Sequence, residues 1–186
     1  MNSKSKKSHS KKDWTKNILI ELGYAAKVAS IIFSRQSLYQ KLNALEYVDK
    51  NKIGQAVRNL HRNKYIRVKN TDGPDSVIQI TPLGLKKLVK YKFDDLKLQP
   101  SKKWDGMWRI VIFDIPEKKK IIRQSINLKL KELGFEALQK STFIYPYDCR
   151  KEIEFIKSYF YLKNEINFIV ADEIDNEEPY LRLFNL

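Results

Sequence analysis

The carboxylate best placed for chemistry is Asp114, which directly follows the dense apolar run Trp108–Phe113. That run predicts a central strand buried on both faces, so Asp114 would leave the sheet near the start of the next helix. A carboxylate in this position is a candidate Mg²⁺ ligand and, in a nuclease, the candidate catalytic residue. The alternative is structural, because Asp114 and Glu117 form an Asp version of the capping box. Since Mg²⁺ prefers several oxygen ligands, we favour the helix cap, and a metal site would need Asp114 from two chains at a symmetry axis.

Other catalytic patterns are missing from the sequence. His9 and His61 share no metal-ligand spacing, and the chain has no credible Ser–His–acid or Cys–His arrangement and no glycine-rich phosphate loop. The only cysteine, Cys149, excludes an intrachain disulfide and a thiolate zinc cluster, and it favours a reducing cytoplasm. The longest apolar stretch, from Ile18 to Phe33, is interrupted by charges and is not typical of a membrane span. The sequence therefore favours a non-enzymatic protein over an enzyme.

Charge is distributed unevenly along the 186 residues, whose net charge is +14. Residues 1–104 hold 23 Lys and Arg against 8 Asp and Glu, whereas residues 105–186 hold 13 against 14. The whole positive excess therefore lies in the first half, where it would attract a polyanion, usually nucleic acid, through counterion release. A membrane surface is the other candidate, but it would require a basic amphipathic helix with a free apolar face.

Side chains suited to reading DNA lie along the third predicted helix, from Lys50 to about Asn63. On a helical wheel its apolar residues share one side, which must face a core. The opposite side carries Arg, which can bind guanine, and Asn and Gln, which can bind adenine. Any exposed helix face can carry such residues, so the pattern alone does not decide. The candidates for base contact are Asn51, Gln55, Arg58 and Arg62, with Lys52 and Asn59 on the flank.

A predicted β-hairpin follows this helix, with strands Tyr65–Lys69 and Val77–Ile80 joined by a turn rich in Asp, Gly and Pro. Apolar and basic residues alternate in its first strand, so the bases would point away from the core and towards a phosphate backbone. Two aspartates in the turn argue mildly against deep insertion into a groove. The candidates for phosphate contact are Lys52, Lys64, Arg67 and Lys69.

The first half has the element order of a winged helix-turn-helix domain, which we assign to residues 13–93. Helical spacing predicts a first helix over 14–33, and Ser37 can cap a second, shorter one. Asp49 can cap the third, and Thr81-Pro82 opens a fourth helix that runs to about Phe93. The Ser- and Lys-rich residues 1–12 are interpreted as a disordered basic tail, and residues 94–104 as a linker.

The second half, residues 105–186, predicts a ferredoxin-like βαββαβ order with an extra C-terminal strand, which makes the whole chain α+β. The strands are predicted at 108–113, 137–139, 142–147, 167–171 and 180–186, and the helices at 117–133 and 150–162. The first of these helices is expected to place Ile121, Ile122, Ser125, Leu128 and Leu133 on or near one face. Because an apolar edge strand invites pairing, the last strand is expected to cross to a partner subunit or to cover its own sheet.

Two segments of the second half resemble the PaaX family of transcriptional regulators. They are WDGMWRIVIFDIPE at residues 104–117 and ELGFEALQKSTFIYPY at residues 132–147. The resemblance implies a dimeric DNA-binding repressor. The central domain of that family is itself similar to the small ferredoxin-like CRISPR adaptation subunit, a Cas-group protein described as a metal-dependent endonuclease. In that protein the strand-end aspartate binds the metal, and Asp114 is the matching position here.

The sequence therefore leads to two main hypotheses and a weaker third one. The first is a cytoplasmic homodimer that binds double-stranded DNA as a regulator, with the ferredoxin-like halves forming the dimer. It needs no cofactor for DNA binding, involves no membrane and leaves room for a small-molecule effector. The second is a Mg²⁺-dependent endonuclease or CRISPR-adaptation subunit that uses Asp114 paired across a dimer. A non-enzymatic adaptor of a defence system, built from the same parts, is a weaker third hypothesis.

Overall fold

The computed structural model describes residues 13–25, 50–70, 76–99 and 103–186, and within them it contains six α-helices and six strands in two antiparallel sheets. The fold is therefore α+β, as predicted. The chain divides into two units, Met1–Lys92 and Phe93–Leu186, each with a hydrophobic core of its own.

The first unit is built from two helices, a β-hairpin and a closing helix. The elements are α1 (Trp14–Ala25), α2 (Lys50–Arg62), β1 (Ile66–Asn70), β2 (Ser76–Ile80) and α3 (Pro82–Asp94). Each lies where the sequence predicts it, although the last two residues of α3 belong to the second unit. The predicted tail, the rest of the first helix, the second helix with Ser37, the Asp49 cap and the hairpin turn lie outside the described residues.

The core of the first unit follows from helical and strand periodicity. Ile18, Leu19 and Leu22 of α1 are buried, and so are Ile53, Ala56 and Leu60 of α2, which confirms the predicted inner face of that helix. In the antiparallel hairpin Ile66 pairs with Ile80 and Val68 pairs with Ile78. Successive side chains of a strand point to opposite faces, so these apolar residues close the core and Arg67 is exposed on the outer face.

The second unit has the βαββαβ order of a ferredoxin-like domain. Its elements are β3 (Trp108–Phe113), a 3₁₀ turn (Glu117–Lys119), α4 (Lys120–Glu132), β4 (Glu136–Gln139), β5 (Thr142–Tyr145), α5 (Arg150–Phe160), β6 (Ile166–Ala171) and α6 (Glu178–Phe184). The strands pair in the order β4-β5-β3-β6, and every neighbouring pair is antiparallel. The central place predicted for β3 is thereby confirmed, and β6 forms one edge of the sheet.

Both faces of the sheet are covered at β3. On one face Val111 and Phe113 belong to a core that also contains Ile126 of α4 and Ile153 of α5. Trp108 points to the other face and has no exposed surface.

Residues 180–186 are not the extra strand that the sequence analysis predicted, because Glu178–Phe184 forms helix α6. Its aromatic residues Tyr180 and Phe184 lie 6.4 and 6.3 Å from the Trp108 ring, measured between ring centroids. The Trp108 indole N–H donates a hydrogen bond of 3.1 Å to Glu177. The segment therefore packs on the sheet of its own chain, which is the second of the two expected arrangements, but it does so as a helix and not as a strand.

The buried face of α4 agrees with the predicted one only in part, since Leu133 lies in the core and Ile122 packs against it. Ile121 and Leu128 are 80% and 63% exposed, whereas Ile126, Lys129 and Leu130 are buried. The buried face was not fully recognised in the sequence because it contains a lysine, Lys129, among its apolar residues. Lys129 is accommodated because its ammonium group lies 2.7 Å from Glu132 Oε2, donates to the Asp94 carbonyl at 3.3 Å and lies 5.2 Å from the Phe93 ring centroid.

Candidate nucleic-acid interface

The outer face of α2 carries most of the residues that the sequence analysis selected for base contact. Asn51, Gln55 and Arg58 are exposed, as are the flanking Lys52 and the C-terminal Arg62. No acidic residue occurs anywhere in this helix. The face therefore offers hydrogen-bond donors, amide groups and positive charge without a competing carboxylate of its own.

The side chains of Asn59 and Arg62 are hydrogen-bonded to each other. The Arg62 guanidinium donates a hydrogen bond of 3.1 Å to Asn59 Oδ1, and Asn59 is half-buried. An asparagine that reads adenine needs both its amide oxygen and its amide nitrogen. Asn59 is thus less suited to base contact than its position on the wheel indicates, and it orients Arg62 instead.

The turn after α2 is a Schellman motif with a lysine in its left-handed position. The Tyr65 N–H donates to the Leu60 carbonyl and the Lys64 N–H to the His61 carbonyl, both at 2.9 Å. Lys64 has a φ of 59°, a conformation in which glycine is usual. A residue with a side chain is disfavoured there by about 1–2 kcal/mol. The backbone strain at Lys64 is therefore a local cost to folding.

Thr81 fastens this turn to the start of α3. Its hydroxyl donates to the Lys64 carbonyl at 2.7 Å, with the Tyr65 carbonyl at 3.1 Å, and accepts a 3.0 Å hydrogen bond from the Gly84 N–H. Thr81 is thus the N-cap of α3 as well as a tie to the turn. Gly84 permits the approach, because a Cβ at that position would lie 2.1 Å from the Tyr65 carbonyl oxygen.

An open groove of about 660 Å³ lies where the end of α2, the first residues of β1 and the start of α3 meet. We call it the basic groove. No acidic side chain occurs among the described residues that line it. We call its basic lining residues the walls and its apolar lining residues the floor. The lining residues are His61, Arg62, Lys64, Ile66, Arg67, Thr81, Pro82 and Leu83. His61 and Leu83 were not predicted as parts of an interface, because the hairpin brings residues 61–67 and 81–83 together only in the folded chain.

The hairpin is described only in part. Arg67 is exposed and pairs across the ladder with Gln79, so its side chain lies on the outer face as predicted. The side chain of Lys69 and the turn at 71–75 lie outside the described residues. Their predicted contact with phosphates stays a prediction.

Asp114 does not cap a helix. The 3₁₀ turn and α4 follow Pro116 and Lys119 at their N-terminal boundaries, and no side chain caps either start. Glu117, the other half of the predicted capping box, instead accepts a 2.7 Å hydrogen bond from Arg123. The capping interpretation is therefore wrong. Asp114 is exposed at the end of β3, and its backbone N–H donates to the Glu165 carbonyl at 2.9 Å.

Arg109 and Asp105 form an ion pair that the sequence analysis missed. The two terminal guanidinium nitrogens of the buried Arg109, Nη1 and Nη2, each lie 2.5 Å from the Asp105 carboxylate, and Nη1 also donates to the carbonyls of Met107 and Pro146, at 2.6 and 2.9 Å. Hydrogen bonding to Arg109 lowers the pKa of Asp105 to about 2. These contacts fasten the segment before β3 to the loop after β5, which is a structural role.

Cys149 is a buried structural residue. Its side chain is 1% exposed, and burial raises the pKa of its thiol to about 12. A thiol held neutral in this way is a poor nucleophile and a poor metal ligand.

Neither a metal cluster nor a membrane span is found in the part of the chain that the structure describes. No group of three or more His, Cys, Asp or Glu side chains there could hold a metal ion. None of the helices described is both long enough and apolar enough to cross a membrane.

Comparison with known proteins identifies the second unit. Residues 101–181 match the family model described as the PaaX protein central Cas2-like domain. The match begins before β3, contains the whole four-stranded sheet with α4 and α5, and ends within α6. It confirms the resemblance stated from the two sequence segments. No curated protein matches the chain.

Proposed function

We propose that this chain is a PaaX-like transcriptional regulator that binds duplex DNA, since residues 101–181 match the model of the PaaX central Cas2-like domain. The observation that carries the proposal is the outer face of α2, which lacks acidic residues and continues into the basic groove. The first unit then acts as a winged helix-turn-helix domain, with α2 as the recognition helix and the hairpin as the wing.

Base contact falls to three exposed residues of α2. Arg58 has the guanidinium fork that binds guanine O6 and N7, and Asn51 and Gln55 have the amides that bind adenine. Lys52 and Arg67 supply charge for phosphates beside them. The division between residues that read sequence and residues that supply affinity follows the usual pattern of protein–DNA interfaces.

The second unit supplies the proposed homodimer contact, which would present two recognition helices to two half-sites of an imperfect palindrome. Its charge supports this role, because residues 105–186 have a net charge of −1 and gain little from DNA. We further propose that the dimer acts in the cytoplasm as a repressor. A small-molecule effector belongs to the same proposal, and DNA binding itself needs no cofactor.

The proposal is tested by gel shift on duplexes from the region upstream of the gene, with random duplex as competitor. We expect a discrete shift that resists competition. Arg58→Ala should weaken binding to the specific duplex by about 1–3 kcal/mol, or roughly 5- to 150-fold, and leave random duplex nearly unaffected. Lys140→Ala, at an exposed position in the second unit, serves as the control. An equal loss on both duplexes for Arg58→Ala would show that α2 does not read sequence.

The alternative function is a Mg²⁺-dependent endonuclease or CRISPR-adaptation subunit. Its support is Asp114, an exposed carboxylate at the end of a central strand that caps no helix. Within one chain the described residues do not fit a Mg²⁺ site, because Glu165, whose backbone lies beside Asp114, has its carboxylate paired with Lys119 at 3.1 Å. Cleavage that requires Mg²⁺ and is lost in Asp114→Asn would support this alternative, and intact DNA in the presence of Mg²⁺ would count against it.

A further inference from the structure

We propose that the basic groove holds the sugar–phosphate backbone of one DNA strand and contributes affinity without sequence preference. This inference rests on the proposed DNA-binding function and assigns the groove a role different from that of the base-reading face. The groove lies between the end of α2, the first residues of β1 and the start of α3.

The charge of the groove fits a polyanion. Three cationic side chains line it, namely Arg62, Lys64 and Arg67, together with the imidazole of His61. All four are exposed, and no acidic residue stands among the groove's described lining. A row of cations of this kind gains affinity by releasing the counterions that condense on DNA.

The floor of the groove selects a nucleic-acid backbone over a bare anion. It consists of Ile66, Pro82 and Leu83, and Leu83 is 49% exposed in the first turn of α3. An inorganic phosphate would leave this apolar surface in contact with water. A DNA strand presents deoxyribose rings between its phosphates, so that sugars can cover the floor while phosphates meet the basic walls.

The walls of the groove are held in place before any ligand binds. Thr81 joins the carbonyl of Lys64 to the N-cap of α3, and the backbone of Gly84 packs directly on Tyr65. Lys64 keeps a left-handed conformation that would be relaxed in a glycine. Strained backbone at a functional site is retained where the side chain is needed. We infer that the strain at Lys64 is retained because its ammonium group is needed to bind DNA phosphates.

The groove also changes the role of Arg62. Arg62 was predicted from the sequence to contact bases, but its side chain lines the groove and donates a hydrogen bond to Asn59. Arg62 therefore acts on the DNA backbone, and sequence reading is confined to the earlier turns of α2.

The test compares salt dependence on two duplexes, using the full chain. Binding of a specific duplex and of a random duplex is measured by fluorescence anisotropy at several salt concentrations, for wild type, Lys64→Gly and Arg67→Gln. Each variant should weaken binding to both duplexes by the same factor, about 3- to 10-fold at low salt. Each should also lower the magnitude of the slope of log K against log salt by about 1, because one phosphate contact is lost.

Lys64→Gly carries an internal control for folding. Glycine relaxes the left-handed backbone, so the variant should melt at a higher temperature while it binds DNA more weakly. The matched control is Tyr161→Gly, which relaxes a similar left-handed residue with a φ of 56° in the second unit. It should also be more stable, with DNA affinity and salt slope unchanged.

A third variant tests the floor. Leu83→Glu places a negative charge in the groove at the N-terminal turn of α3, where an acidic residue favours the helix. We expect it to weaken binding to both duplexes by more than 10-fold without loss of folding.

The outcomes separate this inference from the proposed function. If the wild type binds neither duplex, both are wrong. If Arg58→Ala loses specificity but Lys64→Gly, Arg67→Gln and Leu83→Glu leave affinity and salt slope unchanged, the regulator stands and the groove proposal is overturned. A loss confined to the specific duplex would also overturn it, since the groove would then be reading sequence.

Discussion

Asp114 shows how one side chain changes its interpretation once its neighbours are known. It is separated from α4 by Ile115, Pro116 and the 3₁₀ turn, and neither helix start receives a hydrogen bond from a capping side chain. The Asp-x-x-Glu spacing predicted a cap. In the structure Pro116 stands at the N-terminal boundary of the 3₁₀ turn, and Glu117 forms a salt bridge with Arg123. The carboxylate is consequently not required by the fold.

Asp114→Asn should therefore leave stability almost unchanged. We expect a difference in the free energy of unfolding within about 0.5 kcal/mol, as for most exposed substitutions, measured by urea denaturation. Glu117→Gln, which weakens an exposed ion pair, is a suitable comparison and should also have a small effect. A loss of 1 kcal/mol or more for Asp114→Asn would mean that the carboxylate supports the helix after all.

Asp105 gives the second unit a pH dependence with a definite sign. Its pKa is lowered to about 2 by Arg109, whereas in an unfolded chain it titrates near 4. The unfolded chain therefore takes up the proton first, and the stability supplied by the pair is complete above about pH 5 and is lost as the pH falls towards 2. Because the Asp105 side chain is 56% exposed, solvent screening keeps the effect modest.

The check is a comparison of wild type with Asp105→Asn across this pH range. The variant should be less stable at neutral pH, and the stability gap should close as the pH falls. Tryptophan fluorescence can follow unfolding, because Trp104 and Trp108 lie close to the pair along the chain. A gap that stays constant down to pH 2 would show that the ion pair does not contribute.

At the scale of elements, periodicity and capping signals predicted most of the fold. The β3 strand was recognisable from its continuous apolar run, and α3 was recognisable from Thr81-Pro82. In the structure the Thr81 hydroxyl caps α3 by accepting a hydrogen bond from the Gly84 N–H. The C-terminal segment was misread because its alternating leucines also fit a strand. The better signals were Glu178 and Pro179 in the first helical turn, with Arg182 one turn later in position to pair with Glu178 at 2.9 Å.

Two glycines should respond to alanine in opposite ways. A Cβ at Gly54, within α2, would have Arg58 Nη1 as its nearest neighbour at an ordinary 3.5 Å. Gly54→Ala should therefore raise stability by about 0.5–1 kcal/mol, because alanine is the better helix former. A Cβ at Gly84 would lie 2.1 Å from the Tyr65 carbonyl oxygen, so Gly84→Ala should lower stability by about 1–3 kcal/mol.

Thermal melts of both variants beside wild type decide the matter. The result of interest is the opposite sign of the two shifts, since both substitutions add the same methyl group. A Gly84→Ala variant as stable as wild type would mean that α3 can move away from the hairpin, and the walls of the basic groove would then not be held in place.

At the scale of the whole molecule, the two units have different charge and separate cores. The excess of basic residues falls in the first half, and the sequence alone predicted a polyanion as its partner. The basic groove could not be predicted in the same way, because its lining residues are distant in sequence and come together when β1 pairs with β2 and Thr81 binds the turn after α2. Residues 96 and 98, within the predicted linker, pack against the core of the second unit.

Phe93 shows that this core extends into the end of α3. It is 9% exposed, stacks on Tyr159 with 4.3 Å between ring centroids and meets the edge of Phe160 at 5.2 Å. Phe93→Ala should destabilise the second unit by about 3 kcal/mol, since removal of a buried aromatic ring leaves a cavity. In a Trp14→Phe background the two remaining tryptophans, Trp104 and Trp108, report on this unit in urea denaturation.

Tyr161→Ala is the comparison for Phe93→Ala, because that ring is 89% exposed. It should have a far smaller effect. Similar losses from the two substitutions would mean that Phe93 is not part of the core.

The left-handed lysine has an evolutionary consequence. If the charge at position 64 is what keeps a side chain in this conformation, then selection for DNA binding and selection for folding act on it in opposite directions. Lineages that still bind DNA should retain a basic residue there despite the strain. Lineages that have lost the activity should drift to glycine or asparagine, which the backbone prefers. Position 64 would then serve as a marker for which descendants of this protein still recognise an operator.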